Sequence, residues 1–173
     1  MKGFTLIETV VVVGIISIMA LFGVESITSF QKTAALDSAA NEFVSILKLA
    51  QNKSRTSELL AGELPEKFET DGTDGFPKYG VKISGSNYLL IREYQLDGAT
   101  DPVQDELQTF PVDERIEILA DECSADCFVL FSRLTSQIDE SSTTDSFTIQ
   151  TQDEKEKRQA VITESGVINL GKI

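Results

Sequence analysis

The apolar positions of this chain fall into two regimes. From Phe4 to Val24 the run is nearly continuous: among its 21 residues the only polar side chains are Thr5, Thr9, Ser17 and one charge, Glu8. At about 1.5 Å rise per residue a helix over this run covers roughly 31 Å, the thickness of a bilayer core, so the pattern predicts a membrane-spanning helix. Beyond it the spacing changes. Leu36, Ala39, Ala40, Phe43, Ile46, Leu47 and Ala50 recur at steps of three and four with polar residues between them, which predicts an amphipathic helix. No proline interrupts Phe4 to Ser57. The two stretches therefore read as one helix of roughly 80 Å, weakest at Gly14 and Gly23.

Between Thr56 and Lys78 the sequence turns rich in Gly, Pro, Asp and Glu, and reads as a loop. The apolar pattern then shortens to strand length. Tyr79–Ile83 and Tyr88–Tyr94 flank Ser84-Gly85-Ser86-Asn87 as a hairpin, and Gln95–Asp113 reads as an acidic loop. Arg115–Leu119 and Phe128–Leu134 are expected to meet across the Asp121–Cys127 turn. Phe147–Thr151 and Ala160–Thr163 are expected to pair across the charged stretch Asp153–Arg158, with Val167–Leu170 closing the chain. A helix followed by about seven short strands predicts an α+β fold: a long N-terminal helix whose amphipathic half covers one side of an antiparallel β-sheet head. Phe43, Ile46, Tyr88, Leu90, Ile116, Ile118, Phe128, Leu130 and Phe147 are the expected core.

Glu8 is the anomaly. A charged side chain inside hydrocarbon costs about 2.5 to 3.5 kcal/mol on the mildest scales, and the run offers it no partner. An ordinary secretory signal would lack this carboxylate and end in small residues, where Leu21-Phe22-Gly23 stands instead. A plain single-pass anchor accounts for the length and for Lys2, but not for Gly3-Phe4 or Glu8.

Lys2-Gly3 followed by Phe4-Thr5-Leu6-Ile7-Glu8 and a Val/Ile-rich stretch resembles the class III signal of the type IV pilin and type II secretion pseudopilin superfamily. The resemblance implies a pilin-like fold and a leader, residues 1–3, cut between Gly3 and Phe4 by a prepilin peptidase, with N-methylation of Phe4. It implies that residues 4–24 form the transmembrane and assembly helix, 25–57 its amphipathic continuation, and 58–173 a β-rich extracytoplasmic head. Glu8 would pair with the amino terminus of Phe4 on a neighbouring subunit, an ion pair whose burial makes it selective for position. Such a chain is a structural subunit of a secretion pseudopilus or type IV pilus-like filament, held in the bacterial inner membrane with its N-terminus inside. Its partners would be other subunits, the peptidase, the inner-membrane assembly platform and membrane lipid. Leu36–Arg55 with Ala39-Ala40-Asn41-Glu42, and Arg158–Leu170 with Ser165-Gly166-Val167, are similar, more loosely, to the GspH/FimT-type minor pseudopilins. Many relatives carry a proline where Val24-Glu25-Ser26 stands here. The rival reading is a binding module on a plain membrane anchor, independent of any filament.

Composition narrows this further. Fifteen Lys and Arg against 28 Asp and Glu give a formal net charge of −13, a balance that repels phosphate backbones, so no nucleic-acid partner is expected. The basic residues Lys155, Lys157 and Arg158 are interleaved with Asp153, Glu154 and Glu156 and read as a solvated turn. With no histidine, no G-x-S-x-G elbow and no phosphate-binding glycine loop, the chain is not expected to be an enzyme. Cys123 and Cys127 supply half of a zinc site at most; outside the cytoplasm a short disulfide is the natural state, two free thiols the alternative. No cofactor is expected. Asp71-Gly72-Thr73-Asp74-Gly75 could offer calcium the oxygens of Asp71 and Asp74, though it lacks the twelve-residue EF-hand pattern.

Overall fold

The computed structural model describes residues 5–56, 58–59, 63, 69–70, 73–74, 76–96, 101–121, 123, 127–133 and 135–173; of 20–26, 69–70 and 73–74 it describes the backbone alone. One helix, α1 (Leu6–Thr56), precedes ten described strands. These are β1 (Glu69–Thr70), β2 (Thr73–Asp74), β3 (Lys78–Ser84), β4 (Asn87–Tyr94), β5 (Val103–Pro111), β6 (Ile116–Ala120), β7 (Phe128–Phe131), β8 (Ser146–Thr151), β9 (Lys157–Ile162) and β10 (Ile168–Lys172). β1 and β2 form a small ribbon. The rest divide into two four-stranded antiparallel sheets, ordered β5-β4-β3-β7 and β10-β9-β8-β6.

This corrects the expected architecture in two respects. Two sheets replace the single antiparallel sheet. The membrane-spanning half of the helix is also not supported, since among the described residues no helix is long and apolar enough to cross a membrane. The helical side chains described fall into two stretches, Leu6–Met19 and Ile27–Thr56. At about 1.5 Å per residue the apolar one covers only about 21 Å against a hydrocarbon core of about 30 Å. Single-pass anchoring in the inner membrane, expected from the run 4–24, loses its support with it.

The strand pairing departs from expectation for identifiable reasons. β6 and β7 do not meet across the 121–127 turn: β6 pairs with β8 (Ile118↔Ile149) and β7 with β3 (Val81↔Val129), so that turn is a crossover between sheets. The stretch read as an acidic loop contains β5. Its apolar positions, Val103, Leu107 and Phe110, break a two-residue period because the register shifts between Leu90 and Ile91, leaving Leu107 as the extra residue of a bulge. The β3–β4 hairpin has a two-residue loop, and Gly85 takes φ 59° there, the left-handed value such tight loops need. β9 starts earlier than the apolar pattern suggests, with Lys157 and Arg158 already in the ladder opposite Gln150 and Ile149.

The core lies where α1 meets both sheets. Leu36, Ala40, Phe43, Leu47 and Ala50 are fully buried, packed with Tyr79, Val81 and Phe131 of one sheet and Phe147, Ile149 and Ile162 of the other. Phe43 is the meeting point: its ring is edge-on to Tyr88 at 5.2 Å and to Phe147 at 5.1 Å. Of the expected core, Tyr88, Leu90, Ile116, Ile118 and Phe147 are buried with it, Leu130 is buried on the other face of its sheet, and Ile46 and Phe128 are half-buried. A smaller cluster, Leu89, Ile91 and Leu130, occupies the opposite face of β4 and β7, which is why β4 reads as a continuous rather than alternating apolar run. At Gly80 any side chain would collide with β7, its Cβ falling 1.9 Å from the Val129 carbonyl.

The C-terminal half of α1 is sewn to the head by polar contacts. Gln51 Nε2 donates to the carbonyls of Ser136 (2.9 Å) and Gly166 (2.6 Å), and Ser54 Oγ donates to that of Phe131. The turn read as solvated also grips the helix. Lys32 pairs with Asp153 at 2.8 Å, Thr33 donates to Glu156 at 2.8 Å, and Arg158 pairs with Asp37 at 2.7 Å.

Candidate functional site: the exposed helix end and the head cleft

The first described turn of α1 begins at Thr5, whose carbonyl accepts from the N–H of Glu8 (3.1 Å) and of Thr9 (3.3 Å). Glu8 stands three residues after Thr5, the spacing of a capping box, so its carboxylate sits at the positive end of the helix dipole. That is a local reason for the charge which the membrane argument overlooked. The side chain is exposed. Around it the apolar residues are exposed too: Leu6 at 83%, Ile7 at 72%, Val10 at 62% and Met19 at 70%. Further along, Ile27 and Phe30 are 59% and 74% exposed. Single exposed apolar residues are ordinary on any surface, but a contiguous apolar stretch marks an interaction site.

Gly3 and Phe4, the expected processing residues, lie outside the described residues, as does Asp71. Asp74 falls in β2, where only the backbone is described. Among the described residues no group of three or more Cys, Asp or Glu side chains is placed to hold a metal ion.

Cys123 and Cys127 are joined in a disulfide, with Cα atoms 5.8 Å apart. It sits on the crossover between sheets rather than on the hairpin expected there. The Cys127 carbonyl accepts from Ile83 N at 2.8 Å, which ties the far end of that crossover to β3.

Two polar arrangements in the head were not foreseen. Arg92, only 2% exposed, donates to Glu63 at 2.7 Å and Asp105 at 2.6 Å and stacks its guanidinium 4.5 Å over the Tyr94 ring. Burial pushes its pKa down, and the bonds to Asp105 and Glu63 overcome this, leaving it raised. The alternation of β4 could have placed Arg92 inward, on the same face as Tyr88 and Leu90. The second arrangement is Lys78 with Asp139 at 2.9 Å, beside Glu93. Burial raises the Glu93 pKa, opposed by Lys78. At Asp139 burial acts upward as well, but bonds from Lys78 and Ser141 hold the carboxyl below its ordinary range.

An open cleft of about 720 Å³ lies between the β3–β4 turn and β6, lined by Gly85–Asn87, Val112–Glu114, Ile116–Ile118 and Gln152. Asp113 in its wall is held by Arg115, whose Nε and Nη2 donate to it at 2.9 and 2.7 Å, and these bonds lower the Asp113 pKa. A hollow of about 310 Å³ adjoins it, shared at Val112, Asp113 and Ile118 and reaching Ala35 and Glu42 of α1. Tyr88 borders that hollow, its hydroxyl pKa raised by burial and then by Glu42.

No protein-family model, curated protein or solved structure matches the chain.

Proposed function

We propose that the chain is a structural subunit of a filament of the type IV pilin and pseudopilin kind, processed between Gly3 and Phe4 and N-methylated on Phe4. The observation that carries the reading is the exposed apolar N-terminal stretch of α1, with Glu8 the only charge among its described side chains, which takes no part in the core that Leu36–Ala50 forms with the two sheets. Such a stretch is stable only when covered, and equivalent stretches of neighbouring copies cover it in register. Glu8 then serves two purposes. Within the subunit it favours the first turn of α1, and between subunits it pairs with the Phe4 amine of the next copy. The resemblance that supports this lies in residues 2–8, not in the fold class of the head. Processing by a prepilin peptidase and handling by an assembly platform belong to the same proposal.

Cross-linking in cells tests it. Cysteine pairs introduced at Val10 and Val13 should trap ladders of copies in the wild-type background, and Glu8→Ala should reduce the ladder by about tenfold while leaving the amount of protein unchanged. Equal ladders in wild type and Glu8→Ala would defeat the pairing role, and no ladder in either would defeat the filament.

A further inference from the structure

The four outer strands of the two sheets are not equally protected. β7 is covered on its outer side by 138–143, which returns hydrogen bonds from Asp139 N to Leu130 O (2.9 Å) and from Thr143 N to Phe128 O (2.9 Å). β5 carries Asp105 and Glu106 and ends in Pro111, features that discourage further pairing. β10 is five residues long and ends on Lys172. β6, also five residues long and carrying the single charge Glu117, has neither a covering segment among the described residues nor a proline.

The phase of its ladder with β8 is fixed by two flanking bonds, Asp121 N to Ser146 O and Gln152 N to Arg115 O, each 3.0 Å. Residues 117 and 119 therefore direct their backbone groups at β8. Ile118 and Ala120 turn their N–H and C=O to the other edge, where no described strand pairs with them. Ile118 of that edge lines the 720 Å³ cleft, and Ala120 lies just beyond its lining. The opposite wall is kept low by Gly85, whose Cβ position has open space within 4 Å. Val112 and Ile116 give the cleft apolar surface, and its charge is one-sided. Arg115 offsets Asp113, whereas Glu114 and Glu117 are exposed at the rim, and among the described residues Glu117 accepts from a neutral donor, Gln150 Nε2, at 3.1 Å.

We propose that this cleft takes an extended, cationic peptide segment of a partner protein, which adds to the free edge of β6 as a strand. Main-chain bonds to Ile118 and Ala120 hold the segment, alternate side chains enter the cleft, and its Lys or Arg residues meet Glu114 and Glu117. A second copy of this acidic chain is a poor occupant, so the site is one for recognition rather than for self-assembly. The proposal goes beyond the filament reading and does not depend on it, because it concerns the head of a single subunit.

The full chain in detergent micelles, labelled with ¹⁵N, is titrated with a capped hexapeptide of alternating lysine and valine, and separately with its glutamate–valine counterpart. The lysine peptide should give saturable amide shifts centred on Ile118 and Ala120 and slow their hydrogen exchange. Binding should weaken about tenfold in the double variant Glu114→Lys, Glu117→Lys, and weaken with added salt. Both substitutions are at exposed positions, and an unchanged spectrum of the β8–β9 ladder confirms that the variant is folded. No saturable shift up to about 1 mM peptide overturns the proposal. So do shifts centred away from β6, or equal binding of the glutamate peptide. Failure here leaves subunit cross-linking untouched, so the two readings fall separately.

Discussion

Replacing Phe43 by alanine perturbs a side chain that touches both sheets from the helix between them. The ring is fully buried and edge-on to an aromatic ring in each sheet. Burying a phenylalanine contributes about 1.5 to 3 kcal/mol, and each edge-to-face pair about 0.5 to 1.5 kcal/mol more. The expected loss is therefore about 4 kcal/mol, within the range of about 3 to 5 kcal/mol for core Phe→Ala changes that leave a cavity. For a chain of this length that lowers the thermal midpoint by roughly 8 to 16 °C. Urea unfolding followed by circular dichroism and tyrosine fluorescence measures it, since the chain has no tryptophan. Phe30, on the same helix but 74% exposed, is the internal control: Phe30→Ala should stay within about 0.5 kcal/mol of wild type. A Phe43→Ala cost below about 1 kcal/mol, or equal to that of Phe30→Ala, would refute the three-layer core.

Glu93 and Asp139 should respond to pH with opposite signs. The raised Glu93 pKa means that its charge costs stability above its folded pKa and nothing below its unfolded one. Glu93→Gln should therefore stabilise the protein at pH 7 in urea titrations and make no difference near pH 3. The lowered Asp139 pKa contributes stability present above its unfolded value and lost as pH falls through the folded one, so Asp139→Asn should destabilise at pH 7 and converge on wild type in acid. Gly166→Ala places a Cβ 2.0 Å from the Ser136 carbonyl at φ 81° and disturbs the Gln51 bonds. It should cost about 2 to 4 kcal/mol by thermal melting, and an unchanged midpoint would contradict the packing of 163–167 against α1. Reducing the Cys123–Cys127 bond, with sequence separation 4, should cost about 2 kcal/mol by loop entropy, measured as the difference in urea midpoint with and without reductant.

What the sequence made legible was local. The periodicity of Leu36–Ala50 placed the buried face of α1, and turn chemistry placed the β3–β4 and β8–β9 hairpins, because in each case the determining residues are neighbours in the chain. What it hid was non-local. Nothing between Asp121 and Cys127 says that the chain leaves one sheet there for another, and a disulfide closes a crossover as readily as a hairpin. β5 was hidden by a bulge that breaks its period. The charged turn 152–158 was legible as a turn, but its ion pairs reach residues 121 positions away in sequence. At the N-terminus the charge pattern identified Glu8, yet a reading through membrane energetics alone missed that Thr5-Leu6-Ile7-Glu8 also suits a helix start. It further overstated the span that the described apolar helix can cover. Arg92 shows the remaining limit, since alternation can point an arginine inward but cannot name Glu63 and Asp105 as its partners.

The claim that this chain is processed for assembly rests most directly on its mature amino terminus. Intact-mass and N-terminal peptide analysis of the protein from its native cells should find Met1–Gly3 removed and one methyl group on Phe4. Retention of Met1, or a new terminus near Gly23, would contradict the account.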